Sequence, residues 1–266
     1  MTPAAPRPAA SVLLVRPGPR APLEVYVIRR QKSMRFLGGY YAFPGGKLDP
    51  DDGLPQMLGR CRGLEPAGAE CAIASADGIP ALSFWVSAAR ELLEETGVLV
   101  ARDEGGRAID GQDHAVARRV DTMRRALVGA RAPLHALLAE HGWYLDLAPF
   151  RYLSHFITPP SSPIRFSARF FLAPVPPGQD ARLIEEEASE GFWIEPAEAY
   201  RRFTRGEMPM AEPAYSALAY LSEFPSIAAL WAAHADGGHK IHGINDRLEA
   251  QGLRLPRRPA GAGPVP

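Results

Sequence analysis

Arg90-Glu91-Leu92-Leu93-Glu94-Glu95-Thr96-Gly97-Val98 sets three carboxylates within five residues, just ahead of a glycine able to end a helix. Wound as a helix, Glu91, Glu94 and Glu95 stand at i, i+3 and i+4 and project from one face. Like charges so spaced repel, and an oxygen-seeking divalent cation relieves them, Mg²⁺ or Mn²⁺ in preference to zinc. Arg90 is a second source of neutralisation. Taken alone, the cluster reads first as a solvated acidic helix face.

Upstream, Ala42-Phe43-Pro44-Gly45-Gly46-Lys47-Leu48-Asp49 carries two adjacent glycines, which read as a backbone turn with carbonyls left to face a ligand. The two stretches together resemble the signature of the Nudix hydrolases. That signature runs glycine, five residues, Glu, seven residues, then Arg-Glu-apolar-any-Glu-Glu-any-Gly-apolar. Arg90 to Val98 match every defined position. The first half departs twice: Asp52 stands where the family has Glu, and 37 residues separate it from Arg90, an insertion of 30. A signature split in this way resembles the peroxisomal coenzyme A diphosphatase branch of the family.

The resemblance implies a Nudix-type α/β/α sandwich with a mixed sheet and extra helical insertions. It implies hydrolysis of a pyrophosphate bond with Mg²⁺ or Mn²⁺ as cofactor. Carried over residue by residue, Glu91, Glu94 and Glu95 bind metal, Glu91 is the first choice of general base, and Arg90 orients a glutamate. The carbonyl of Gly45 or Gly46 completes the coordination sphere. Asp52, one methylene shorter than Glu, is expected to hold the arginine less well. The family also uses a carboxylate from a loop before a late strand, and here Glu187, with Glu190 second, has the matching spacing from Trp193.

For substrate, Arg30, Arg35, Gly39 and Phe43 have the spacing of a motif associated with coenzyme A-hydrolysing members of the family, with Gln31 where a small residue is usual. Guanidinium forks suit the 3′-phosphate and pyrophosphate of such a ligand. Arg30, Arg35, Arg165, Gly45 and Gly46 are therefore the expected substrate contacts, with Lys32 and Arg169 as further candidates and exposed hairpin charges as the alternative. ADP-ribose, NADH, an oxidised nucleoside triphosphate, or a ligand sensor without turnover are the other functions open to this pattern.

The chain has 266 residues, with 30 Lys plus Arg balancing 30 Asp plus Glu, so no global charge argues for nucleic acid or an anionic membrane. No apolar run reaches a bilayer's width and Met1 to Ala10 lacks a hydrophobic signal core, so a cytoplasmic protein with a small nucleotide-type substrate is expected. Cys61 and Cys71 read as free thiols. Residues 1–254 are expected to form one domain with insertions at about 53–81 and 103–147, followed by a disordered tail at 255–266.

Strands are expected at Ser11 to Val15, Leu23 to Arg29, Tyr40 to Phe43, Tyr152 to Thr158, Ile164 to Ala173 and Gly191 to Ile194, with Val98 to Ala101 continuing the sheet. The first insertion, rich in Gly, Pro and Ala, reads as a surface excursion with little regular structure. Beyond it, Phe84, Trp85, Ala88, Ala89, Leu92 and Leu93 give a single apolar stripe. The second insertion turns helical from Gln112 to His141; a cap over the pocket, a homodimer face and surface decoration are the roles open to both insertions. Closing helices are read from Pro196, over Ala211 to Glu223 and over Ile227 to Ala233. Tyr40, Tyr41, Phe156 and Phe170 read as core, His155 as a hydrogen-bonded strand residue, and His234, His239 and His242 as solvent-facing loop.

Overall fold

Along the first strand, β1 (Arg7–Arg16), Val12 and Leu14 join one hydrophobic cluster while Leu13 and Val15 join another. Period-2 alternation between two cores marks a strand covered on both faces. The computed structural model describes residues 4–19, 21–73, 78–184 and 188–235; the tail at 255–266, His239, His242 and Glu187 lie outside them. After β1 come β2 (Glu24–Arg30), β3 (Tyr41–Ala42) and β4 (Gly45–Lys47). A single turn of 3₁₀ helix, Pro50–Gly53, leads to α1 (Pro55–Leu58), β5 (Cys61–Arg62) and α2 (Pro66–Ala72). The long helix α3 (Leu82–Thr96) is followed by β6 (Ala101–Arg102), α4 (His114–Val128), α5 (Leu134–Glu140) and β7 (Tyr144–Asp146). The chain then forms β8 (Arg151–Ile157), β9 (Phe166–Pro174), β10 (Ala188–Ile194), α6 (Pro196–Thr204), α7 (Glu212–Leu221) and α8 (Ile227–Ala233).

The main sheet runs β10-β2-β1-β9-β8, with β3 on β2 and β4 on β1. The β1–β9 pair is parallel and its other pairs antiparallel, so the sheet is mixed, as expected. On one face lies α3 with both insertions; on the other, residues of α6, α7 and α8 such as Phe203, Leu218 and Leu230 close a second core. Trp85 anchors α3 to the sheet by ring contacts with Phe171 at 5.0 Å and Tyr152 at 6.2 Å. Gly97 ends the helix in the left-handed conformation, φ 74°.

Four expectations give way to the structure. Gly45–Lys47 is a strand, not a turn: it pairs with β1 through Ala9, Ala10 and Ser11. The first insertion is ordered into α1, β5 and α2, and Met57, Cys61, Ala69 and Ile73 enter the same core as α3. Val98 to Ala101 does not extend the main sheet; β6 belongs to a separate three-stranded sheet, β5-β7-β6, in which the first insertion's β5 runs parallel to the second insertion's β7. Period-based reading sees only segments adjacent in sequence, so this pairing across the two insertions left no local trace. His234 is buried and bonds the Tyr220 hydroxyl at 2.8 Å instead of facing solvent. Covered by both insertions, α3 exceeds its single stripe: of its 15 residues Glu94 alone is not buried.

Cys61 and Cys71 are free, and His155 bonds Ser167 Oγ at 2.8 Å, both as expected. Among the described residues no helix is long and apolar enough to cross a membrane.

Candidate active site

The site is built where α3 crosses β4. Helical spacing presents Arg90, Glu91 and Glu95 to three consecutive residues of the strand. The Gly45 N–H donates to Glu95 Oε2 at 2.8 Å, Glu91 lies against Gly46, and Arg90 Nη2 donates to the Lys47 carbonyl at 2.9 Å. A Cβ on Gly46 would sit 2.5 Å from Glu91 Oε1, so only glycine leaves the carboxylate its place. Gly46 does not have a left-handed φ; its need is space, not conformation.

Arg90 is the hub. Its Nε and Nη2 grip Asp52 as a fork, at 2.8 Å to Oδ1 and 3.0 Å to Oδ2, while Nη1 reaches Glu91 Oε1 at 2.9 Å and Glu94 Oε2 at 3.1 Å. Ser87, one turn earlier, offers its Oγ to Nη2 at 3.2 Å. Every N–H of the guanidinium thus has an acceptor. Asp52 overturns the expectation of a weakened grip. It sits at the third position of a capping box with Asp49, whose N–H donates to Asp52 Oδ2 at 2.9 Å, and Pro50 opens the turn. The turn brings the shorter side chain close enough to do the work of the longer one. Asp49-Pro50-Asp51-Asp52 displays that box in the sequence, a signal the reading above passed over.

Burial raises the Glu91 carboxyl to about 7, against the pull of Arg90 and with the Glu94 charge adding to the rise. Burial acts to lower Arg90, but the Asp52 hydrogen bonds and the charges of Glu91, Asp52 and Glu94 leave it raised. The donors are carboxylate oxygens, the chemistry of a hard divalent cation. Among the described residues no three His, Cys, Asp or Glu side chains already form a metal-binding group, because Arg90 and the Gly45 N–H hold the glutamates.

The expected substrate residues fall into two groups. Residues 31–40 form a closed loop between β2 and β3: Gly39 N–H donates to the Arg30 carbonyl, Arg30 N–H to the Tyr40 carbonyl, and Arg30 Nε to the Phe36 carbonyl at 3.2 Å. Lys32 and Arg35 are exposed on it. Phe36 packs edge-on to Phe166 at 4.9 Å, bringing the loop to β9 beside Arg165. Arg165 itself donates to the backbone carbonyls of Thr158 and Ala4, at 2.9 and 2.7 Å. Arg169 is buried, with its guanidinium 4.2 Å from the centre of the Phe84 ring. Tyr41 and Phe170 are core, as read from sequence.

Glu190, the second choice of outlying carboxylate, lies on the wrong face. It shares a strand face with Phe192, which packs against the core of α6–α8, and it bonds Arg29 and Tyr41 there.

No family model matches the chain. A curated acyl-coenzyme A diphosphatase of Gallus gallus is 26% identical over 86% of this chain and 71% of its own length. The crystal structure of a Nudix hydrolase from Alicyclobacillus acidocaldarius superposes with a TM-score of 0.68 at 32% identity, over 86% of this chain and 96% of that one. With that identity spanning nearly all of a solved relative, on the architecture described above, the chain belongs to the Nudix hydrolases, enzymes that act on pyrophosphate bonds.

Proposed function

We propose that the chain, with Mg²⁺ or Mn²⁺, hydrolyses the pyrophosphate bond of coenzyme A or an acyl-coenzyme A, giving 3′,5′-ADP and (acyl-)4′-phosphopantetheine. One observation carries the substrate: the closed 31–40 loop, with Arg30 at its base on the α3 face of the sheet and Arg35 exposed, is docked by Phe36 onto Phe166 beside Arg165. Guanidinium groups on this loop and next to the residue it docks against suit a ligand carrying a 3′-phosphate besides its pyrophosphate. Similarity to the Gallus gallus acyl-coenzyme A diphosphatase favours the same class.

Glu91, Glu94 and Glu95 would hold the cation, and the missing side chain of Gly46 lets the Glu91 carboxylate lie against the strand. When bound, a divalent cation would supply charge neutralisation at the phosphoryl oxygens and a more acidic attacking water. Glu91, which lies against Gly46 where α3 crosses β4, would take the water's proton. Arg90 holds Glu91 and Glu94 in register, and Asp52 holds Arg90. The water oxygen bonds to one phosphorus, the bridging oxygen leaves with the other, and the proton on Glu91 returns to solvent.

The test is product identification by mass spectrometry with Mg²⁺ or Mn²⁺ against coenzyme A, ADP-ribose, NADH and nucleoside triphosphates. A Glu94→Gln variant serves as control. Release of 3′,5′-ADP and 4′-phosphopantetheine, absent in the control, is expected. Cleavage of another compound alone overturns the substrate, and binding without cleavage of any of them overturns the chemistry assigned to these residues.

A further inference from the structure

One cluster on the far face of the sheet from α3 is left without a role by the reading above. Arg29 on β2 stands in register with Glu190 on β10 and with Tyr41 on β3, so the three form a row across three strands. One oxygen of Glu190 accepts from Arg29 Nη1 at 2.7 Å and the other from the Tyr41 hydroxyl at 2.8 Å. Arg29 also lies over the Tyr41 ring, 5.3 Å from its centre. A bulge in β10 between Ala188 and Glu190 adjusts the register at this point, and Ser189 Oγ donates to the Arg29 carbonyl at 3.3 Å.

What the row holds is the base of the 31–40 loop. Arg29 Nε donates to the carbonyl of Gly39, the last residue but one before β3, and Gln31 Nε2 donates to the Ala188 carbonyl on the neighbouring strand. Inside the loop Leu37 is left-handed, φ 53°, a costly state for a branched side chain that persists only where its surroundings impose it. The loop therefore has two fastenings: Phe36 on Phe166 at its tip, and the Glu190 row at its base.

We infer that Glu190, acting through Arg29 and Tyr41, is a positioning residue that holds the 31–40 loop in the shape presenting Arg30 and Arg35 to the phosphates of the substrate. The inference rests on the reading of that loop as the coenzyme A phosphate site. Glu190 touches neither α3 nor the reacting bond, so its loss acts on substrate affinity and not on the chemical step.

Steady-state kinetics with coenzyme A separate the cases, using Glu190→Gln, Tyr41→Phe, Arg35→Ala and the double variant Glu190→Gln/Arg35→Ala. Tyr41→Phe removes one hydroxyl and covers the case in which Glu190→Gln does not fold. The expected result is a KM about tenfold higher in Glu190→Gln with kcat within about twofold, and a smaller rise in Tyr41→Phe. The double variant is expected to raise KM by less than the product of the two single effects, because both changes act through one loop. A fall in kcat at unchanged KM, or effects that add in the double variant, overturns the inference. If Arg35→Ala raises KM but Glu190→Gln and Tyr41→Phe do not, the positioning role falls and the loop reading stands. If Arg35→Ala leaves KM unchanged, or coenzyme A is not cleaved at all, the loop reading falls and the inference with it.

Discussion

Arg90 shows how much one side chain organises. Its charge is matched by Asp52 on one edge and by Glu91 and Glu94 on the other, and its planar fork fits Asp52 in a way a lysine ammonium does not. Arg90→Lys is expected to lower kcat on the order of 10²-fold, read in the coenzyme A assay. Asp52→Ala leaves a buried guanidinium without its fork and is expected to destabilise the fold by about 3–5 kcal/mol in urea denaturation. Gly46→Ala is expected to cut kcat at least about tenfold with little change in Tm, because its Cβ meets the end of a side chain, Glu91, and not backbone. At this scale spacing put Arg90, Glu91, Glu94 and Glu95 on one helix, and only the resemblance to the split signature singled them out from a solvated acidic face. Lys47 was not legible, since its part is a backbone carbonyl, and Ser87 was hidden among the apolar positions of the helix.

Elements were legible where a period repeats within them. β1, β2, β8, β9 and the helices α4 to α8 follow alternation or one-turn spacing, although β1 begins at Arg7, ahead of the expected Ser11, and the helical stretch expected from Gln112 to His141 is divided into α4 and α5. The first insertion was misread because its helices are short and its apolar residues too few to show a period, yet Met57, Ala69 and Ile73 are buried in the core beneath α3. Met57→Ala is therefore expected to destabilise the whole protein by about 2–5 kcal/mol, measured by urea denaturation, an effect a surface excursion would not show. The row across β3, β2 and β10 has its own pH signature. The Arg29 hydrogen bond, followed by that of Tyr41, draws the Glu190 carboxyl below its ordinary 4.5. A depressed carboxylate contributes stability above the unfolded value and loses it as pH falls through the folded one. The Tm gap between the parent and Glu190→Gln is thus expected to be open at neutral pH and to close as the pH falls below the carboxyl's ordinary 4.5.

For the whole molecule, two cores share one sheet and divide the labour. The α3 face carries the glutamates and the insertions, and the α6–α8 face carries the row that fastens the 31–40 loop. The sandwich was readable from the order of elements, whereas the small β5-β7-β6 sheet depends on strands more than 80 residues apart in the chain and could not be. The parallel pairing of β1 with β9 has a consequence for biosynthesis. β1 is the centre of the main sheet, yet its neighbour begins only at Phe166. At about 5–20 residues per second on the ribosome, the nascent chain carries Val12, Leu13, Leu14 and Val15 for on the order of ten seconds with one strand edge unclaimed. The strand at the centre of the sheet stays half-paired until β9 is made, and during that interval its free edge is open to a chaperone or to another nascent chain.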